Sequence, residues 1–127
     1  MPPVQIHEDA QPYLEQFIED AEAYSVPLPY LDKLRTIQYQ DFPGSLAGTC
    51  TQYYKEGNLV YTEIKLAKRF QYSTESLTFK ALIYHELGHC VLFKDHRKGR
   101  YIMNESMLPE GVYRKYWDEL LDDFFIN

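Results

Sequence analysis

"YHELGHCVLFKDH", residues 84–96, carries three of the chain's four histidines in thirteen positions, with a glutamate directly after the first. His85 and His89 stand four residues apart, so on a helix they project from one face about 40° apart. Leu82, Leu87 and Val91 supply apolar neighbours at helical spacing, and Ser73 or Thr74 is placed to cap a long helix from about Glu75 to Phe93. Gly88 inside that helix costs about 1 kcal/mol relative to alanine, which implies that something packs closely against it. If the helix ran on, His96 would share the face of His85 but lie about 16 Å further along the axis. The chain must therefore leave the helix near Phe93 and fold back through "KDHRKG" if His96 is to join the pair. The bland reading is a helix face with solvated histidines.

Working outward from that helix, "VQIH" (4–7) reads as a short first strand. Asp9 is placed to cap a helix that tolerates Pro12 in its first turn. Tyr13, Leu14, Phe17, Ile18 and Ala21 recur at helical spacing, with Glu15, Glu19, Asp20 and Glu22 towards water. The prolines of "SVPLPY" (25–30) end it. "RTIQYQDF" (35–42) alternates as a half-buried strand, and Pro43-Gly44 turns the chain. "SLAGTCTQYYKEGNLVYTEIKLA" (45–67) reads as a hairpin around Gly57-Asn58, with Val60, Thr62, Ile64 and Leu66 on one face. From Pro109, "EGVYRKYWDELLDDFF" reads as a closing helix with Tyr113, Trp117, Leu120, Leu121 and Phe124 as its apolar stripe. No repeat, low-complexity segment or linker is visible. Strands and a helix first, helices last, predict an α+β layer fold in a single domain spanning 1–127.

Composition narrows the function. Hydrophobic residues are 45% and aromatics 16% of 127, which is globular composition. A net charge of −6, with basic residues scattered outside Arg97, Lys98 and Arg100, argues against a nucleic-acid partner. No apolar run approaches the roughly 18 residues of a membrane span. Met1-Pro-Pro-Val lacks the basic start and apolar run of a leader, so the chain is either made without one or written after its removal; the compartment stays open. Cys50 and Cys90 permit one disulfide without requiring it, and two buried thiols acting as small hydrophobes are the favoured reading.

The His85–His89 spacing lets two imidazoles reach one Zn²⁺ at about 2.0–2.1 Å each. Glu86, about 100° further round the helix, cannot easily bind that ion but can reach a water on it. Zinc lowers the pKa of such a water towards about 7, and Glu86 is expected to accept its proton and pass it to a leaving amine. His85-Glu86-Leu87-Gly88-His89 is the H-E-x-x-H pattern of zinc peptidases. A catalytic zinc keeps one open position and needs a third protein ligand. His96 is favoured, because imidazole suits zinc; Asp95 and, further off, Glu105 are rivals.

The segment resembles the metzincin zinc endopeptidases, in particular the small matrixin-like branch, whose pattern continues through a glycine and a third histidine to a tight methionine turn. His96 comes one residue later than that spacing, and Asp95 occupies the expected position. "RYIMNES" (100–106) resembles the methionine turn and makes Met103 the expected hydrophobic base of the site. "GSLAGTC" (44–50) and "LVYTEIKL" (59–66) are similar to the family's edge strand and the strand before its active helix. The resemblance implies a small, twisted, mostly parallel sheet with an edge strand lining the cleft, packed on an N-terminal and an active-site helix, with a closing C-terminal helix. It also implies a minimal zinc metallopeptidase acting on a protein or peptide substrate, with Ala47, Gly48 and Thr49 as backbone contacts to an extended peptide. Two features depart from the family. No glycine follows His89 where the helix must end in a left-handed turn, leaving Asp95 or Lys94 to bend the chain. No tyrosine lies two positions after Met103; Tyr101 and Tyr113 are the candidate substitutes.

Two other readings compete. "HELGHCVL" also resembles small intracellular zinc peptidases that cleave repressors, in which Glu105 or Glu110 would be the third ligand. A zinc-stabilised structural or binding module without catalysis is the third reading. Structural zinc normally has four protein ligands, and Cys90 points about 100° away from His89, which leaves Glu86 without a purpose there.

Overall fold

The computed structural model describes residues 2–126. Four strands, β1 (Gln5–Ile6), β2 (Leu34–Gln40), β3 (Gly48–Lys55) and β4 (Asn58–Ala67), form one sheet in the order β1-β2-β4-β3. Three helices accompany it: α1 (Gln11–Ala23), α2 (Leu77–Leu92) and α3 (Glu110–Ile126). The α+β class matches the expectation. The sheet is mixed: β1–β2 and β2–β4 pair in parallel, while β3 runs antiparallel to β4 at the outer edge.

Local chemistry shifts several expected boundaries. The hairpin turns at Glu56-Gly57, one residue earlier than expected. Both residues have positive φ (52° and 81°), the conformation of a tight primed turn, and Asn58 already pairs with Lys55. Asp9 does not cap α1; its carboxylate accepts from the Tyr39 hydroxyl at 2.9 Å, and Ala10 stands at the cap without a side-chain bond. Asp20 does not simply face water, since it accepts the hydroxyl of buried Tyr84 at 2.6 Å. α3 is interrupted at Tyr116, where φ and ψ are non-helical.

α2 is capped by Ser76, not by Ser73 or Thr74. The Ser76 hydroxyl oxygen accepts from the Phe79 amide at 3.0 Å, and its carbonyl accepts from the Lys80 amide. The amides of Leu77 and Thr78 donate to the Glu110 carboxylate at 3.2 and 2.8 Å. The Ser76 amide donates to the Ser73 carbonyl at 3.0 Å, so the four orphan donors, Ser76 to Phe79, are all satisfied. That end can be buried without cost, and α2 is correspondingly buried on most of its circumference. It lies between the sheet and the other two helices, with Phe17 of α1 edge-on to Tyr84 at 5.2 Å. Thr62, Ile64 and Leu66 of β4 face this core.

Candidate metal centre

His85 and His89 sit on α2, one turn apart, and each ring is fixed from behind. His85 Nδ1 lies 2.7 Å from the Ile102 carbonyl, and His89 Nδ1 lies 2.7 Å from the Lys94 carbonyl. A carbonyl only accepts, so both rings carry their proton on Nδ1 and present a bare Nε2 lone pair. Those two Nε2 atoms are 3.2 Å apart. Two nitrogens each about 2.05 Å from a tetrahedral ion stand about 3.3 Å apart, whereas two facing lone pairs with nothing between them repel. The spacing therefore fits a shared cation. Burial lowers the basicity of both rings, His85 down to about 4, which keeps them in the neutral, metal-binding form.

His96 completes the group: one ring nitrogen from each histidine lies within 4.8 Å of the others. The fold-back happens where neither Asp95 nor Lys94 was needed. Phe93 itself takes the left-handed conformation, φ 54° and ψ 37°, and the Lys94 amide donates back to the Gly88 carbonyl at 2.9 Å, closing the helix end. The residue added relative to the metzincin spacing is thus accommodated inside the helix, and the step from the left-handed residue to His96 remains three. Asp95 lines a separate cavity with Lys94, Arg97 and Tyr101. Glu110 is occupied at the start of α2, and Glu105 stands at the cleft but outside the histidine group.

Met103 packs against α2 at Gly88. A Cβ added at Gly88 would stand 2.6 Å from Met103 Sδ and 3.0 Å from Phe124, so the mid-helix glycine is the space that the methionine fills. Its turn is closed by the Asn104 amide donating to Tyr101 and is tied to the fold-back by the Arg97 amide donating to the Met103 carbonyl. Neither proposed tyrosine reaches the cleft. Tyr101 lies under the Arg97 guanidinium, and Tyr113 is buried, accepting from the Leu108 amide.

The three histidines open into a cleft of about 470 Å³ whose rim is β3. Glu86 lines it and is almost completely buried, and desolvation alone pushes its carboxyl up to about 8. Gly48 makes this possible: a Cβ there would stand 3.0 Å from the Glu86 carboxylate and from the Lys65 carbonyl. Ala47, Gly48 and Thr49 all line the cleft, but their backbones are not equivalent. The Ala47 carbonyl accepts from Ala67, so the alternation of the antiparallel ladder turns Thr49 inward too. The free edge is left to Gly48, Cys50 and Gln52.

Two features lay beyond sequence reasoning. Cys50 and Cys90 form a disulfide (Cα–Cα 5.7 Å), against the favoured reading of free thiols; it ties β3 to α2 one residue from His89. Gln52 donates from Nε2 to the His89 carbonyl, a second tie between rim and helix. The signal for the first was the pair of cysteines itself; for the second the only signal was position, Gln52 lying two residues from Cys50 on one face of a strand. Among the described residues no helix is long and apolar enough to cross a membrane. In comparison with known proteins, the chain matches no family model, no curated protein and no solved structure, so the reading of this site stands on its own residues.

Proposed function

We propose that this chain is a zinc-dependent endopeptidase of the metzincin kind, with His85, His89 and His96 as metal ligands and Glu86 as the catalytic acid–base. The observation that carries the reading is the pairing of three converging imidazoles with a buried carboxyl, one residue along from the first, in the same cleft. Zinc at the three nitrogens would polarise a scissile carbonyl and acidify a water beside it. With a cation at the histidines favouring its ionised form, the Glu86 carboxylate takes the proton of the attacking water and delivers it to the leaving amine. Gly48 and Cys50, on the open edge of β3, offer backbone N–H and C=O groups to an extended peptide. Met103, filling the hollow at Gly88, holds the helix that carries both first ligands. Burying a carboxyl without a hydrogen bond is costly, and a purely structural zinc site has no use for one.

The reading predicts that Glu86→Gln retains one zinc per chain and loses about 10²–10⁴-fold in cleavage of an unfolded protein substrate. Metal content by atomic emission and fragment analysis on gels check it. Undiminished proteolysis by the variant would remove Glu86 from the mechanism.

A further inference from the structure

The irregular segment after Met103 also lines the cleft. It contributes Met107 and Glu105, which join Leu46 and Leu82 around the space beside the histidines. Leu46 is about half exposed and Met107 partly buried, so the cleft offers apolar surface to a guest. Glu105 is different. It is exposed, lies outside the histidine group, and takes part in none of the three ion pairs of the described residues, which are His7–Asp9, Arg100–Glu119 and Arg114–Glu110. Among the described residues, apart from the histidines and Glu86 it is the only ionisable side chain lining the cleft, and no lysine or arginine lines it.

We infer that Glu105 selects a basic side chain, lysine or arginine, in the peptide that the cleft receives. This inference rests on the cleft receiving a peptide, and so deepens the proposed function. Long basic side chains have an apolar stem and a charged head. The stem matches the Leu46 and Met107 surface, and the head matches a side chain with no ion-pair partner among the described residues. A neutral aliphatic side chain would satisfy only the apolar surface. An acidic one would meet Glu105 with like charge, on a chain whose net charge is already −6.

The test uses zinc-loaded Glu86→Gln protein and acetylated, amidated peptides of uncharged residues carrying one lysine, arginine, glutamine or glutamate, moved position by position. Binding is read by competition in fluorescence anisotropy. At one position lysine and arginine should bind about three- to tenfold more tightly than glutamine, and glutamate more weakly still. Adding Glu105→Gln should erase that difference, and adding Glu105→Lys should invert it, with zinc content unchanged. Equal binding of lysine and glutamine peptides, or a preference that survives Glu105→Gln, overturns the inference. So does loss of zinc in Glu105→Gln, which would make Glu105 a ligand, and so does an absence of any peptide binding. If the Glu105-dependent preference holds while the wild-type protein cleaves nothing, the inference stands and the hydrolytic reading fails.

Discussion

Glu86 and His85 titrate against one another. In the metal-free folded chain desolvation holds the Glu86 proton to about pH 8, against about 4.5 once exposed, so folding without metal takes up a proton between those limits and stability falls as pH rises. His85, lowered to about 4 from 6.5, makes stability rise with pH across that lower window. The two slopes oppose one another below pH 6.5, and above it Glu86 acts alone. Metal-free protein should therefore lose about 1–2 kcal/mol between pH 6.5 and 8, a loss that Glu86→Gln abolishes. Urea titrations with chelator at both ends of the window read this, and identical slopes for the two proteins would refute it. Gly88 gives a second test. Gly88→Ala gains about 1 kcal/mol of helix propensity but drives Met103 and Phe124 apart, and should be destabilised by about 1–3 kcal/mol net in urea unfolding. The pair His85 and His89 was legible because helical spacing alone brings them together. What fixes their rings was not, since the Ile102 and Lys94 carbonyls belong to a backbone that any sequence shares.

At the scale of elements, the end of α2 decides whether His96 reaches the other two histidines. A left-handed phenylalanine costs about 1–2 kcal/mol, and here the ring lies edge-on to Tyr30 at 4.7 Å. Phe93→Asn and Phe93→Val both delete that contact, but only asparagine tolerates the turn; the valine variant should be less stable by about 1–2 kcal/mol and bind zinc more weakly. Equal stability of the two would show that the helix ends elsewhere. Helix and strand identities were readable from periodicity, because each apolar face had a core to meet. Their ends were decided by groups distant in sequence. Glu110 caps α2 from 32 residues away, and Asp9 serves Tyr39 instead of its own helix. The antiparallel pairing of β3 with β4 was readable from the hairpin, whereas the strand order β1-β2-β4-β3 was not, since it depends on which neighbours the strands meet and not on their composition.

Over the whole molecule, the metal and the fold are expected to be linked. The three histidines join α2 to the loop after it, so an ion bound only by the folded chain adds about 4 kcal/mol when free zinc is a thousand times its dissociation constant. Thermal melts with zinc should lie well above melts with chelator, and coincident curves would count against a metal held by this group. Tolerance of different guests is decided by a different part of the architecture. The bond between Cys50 and Cys90 stitches the rim of the cleft to its floor, and Gln52 adds a second suture. With that side sewn shut, the yielding wall is the stretch 104–109, which has no ladder or helix to stiffen it. If the cleft receives polypeptide as proposed, a mouth hinged on one lip would admit a loose thread more readily than a folded surface.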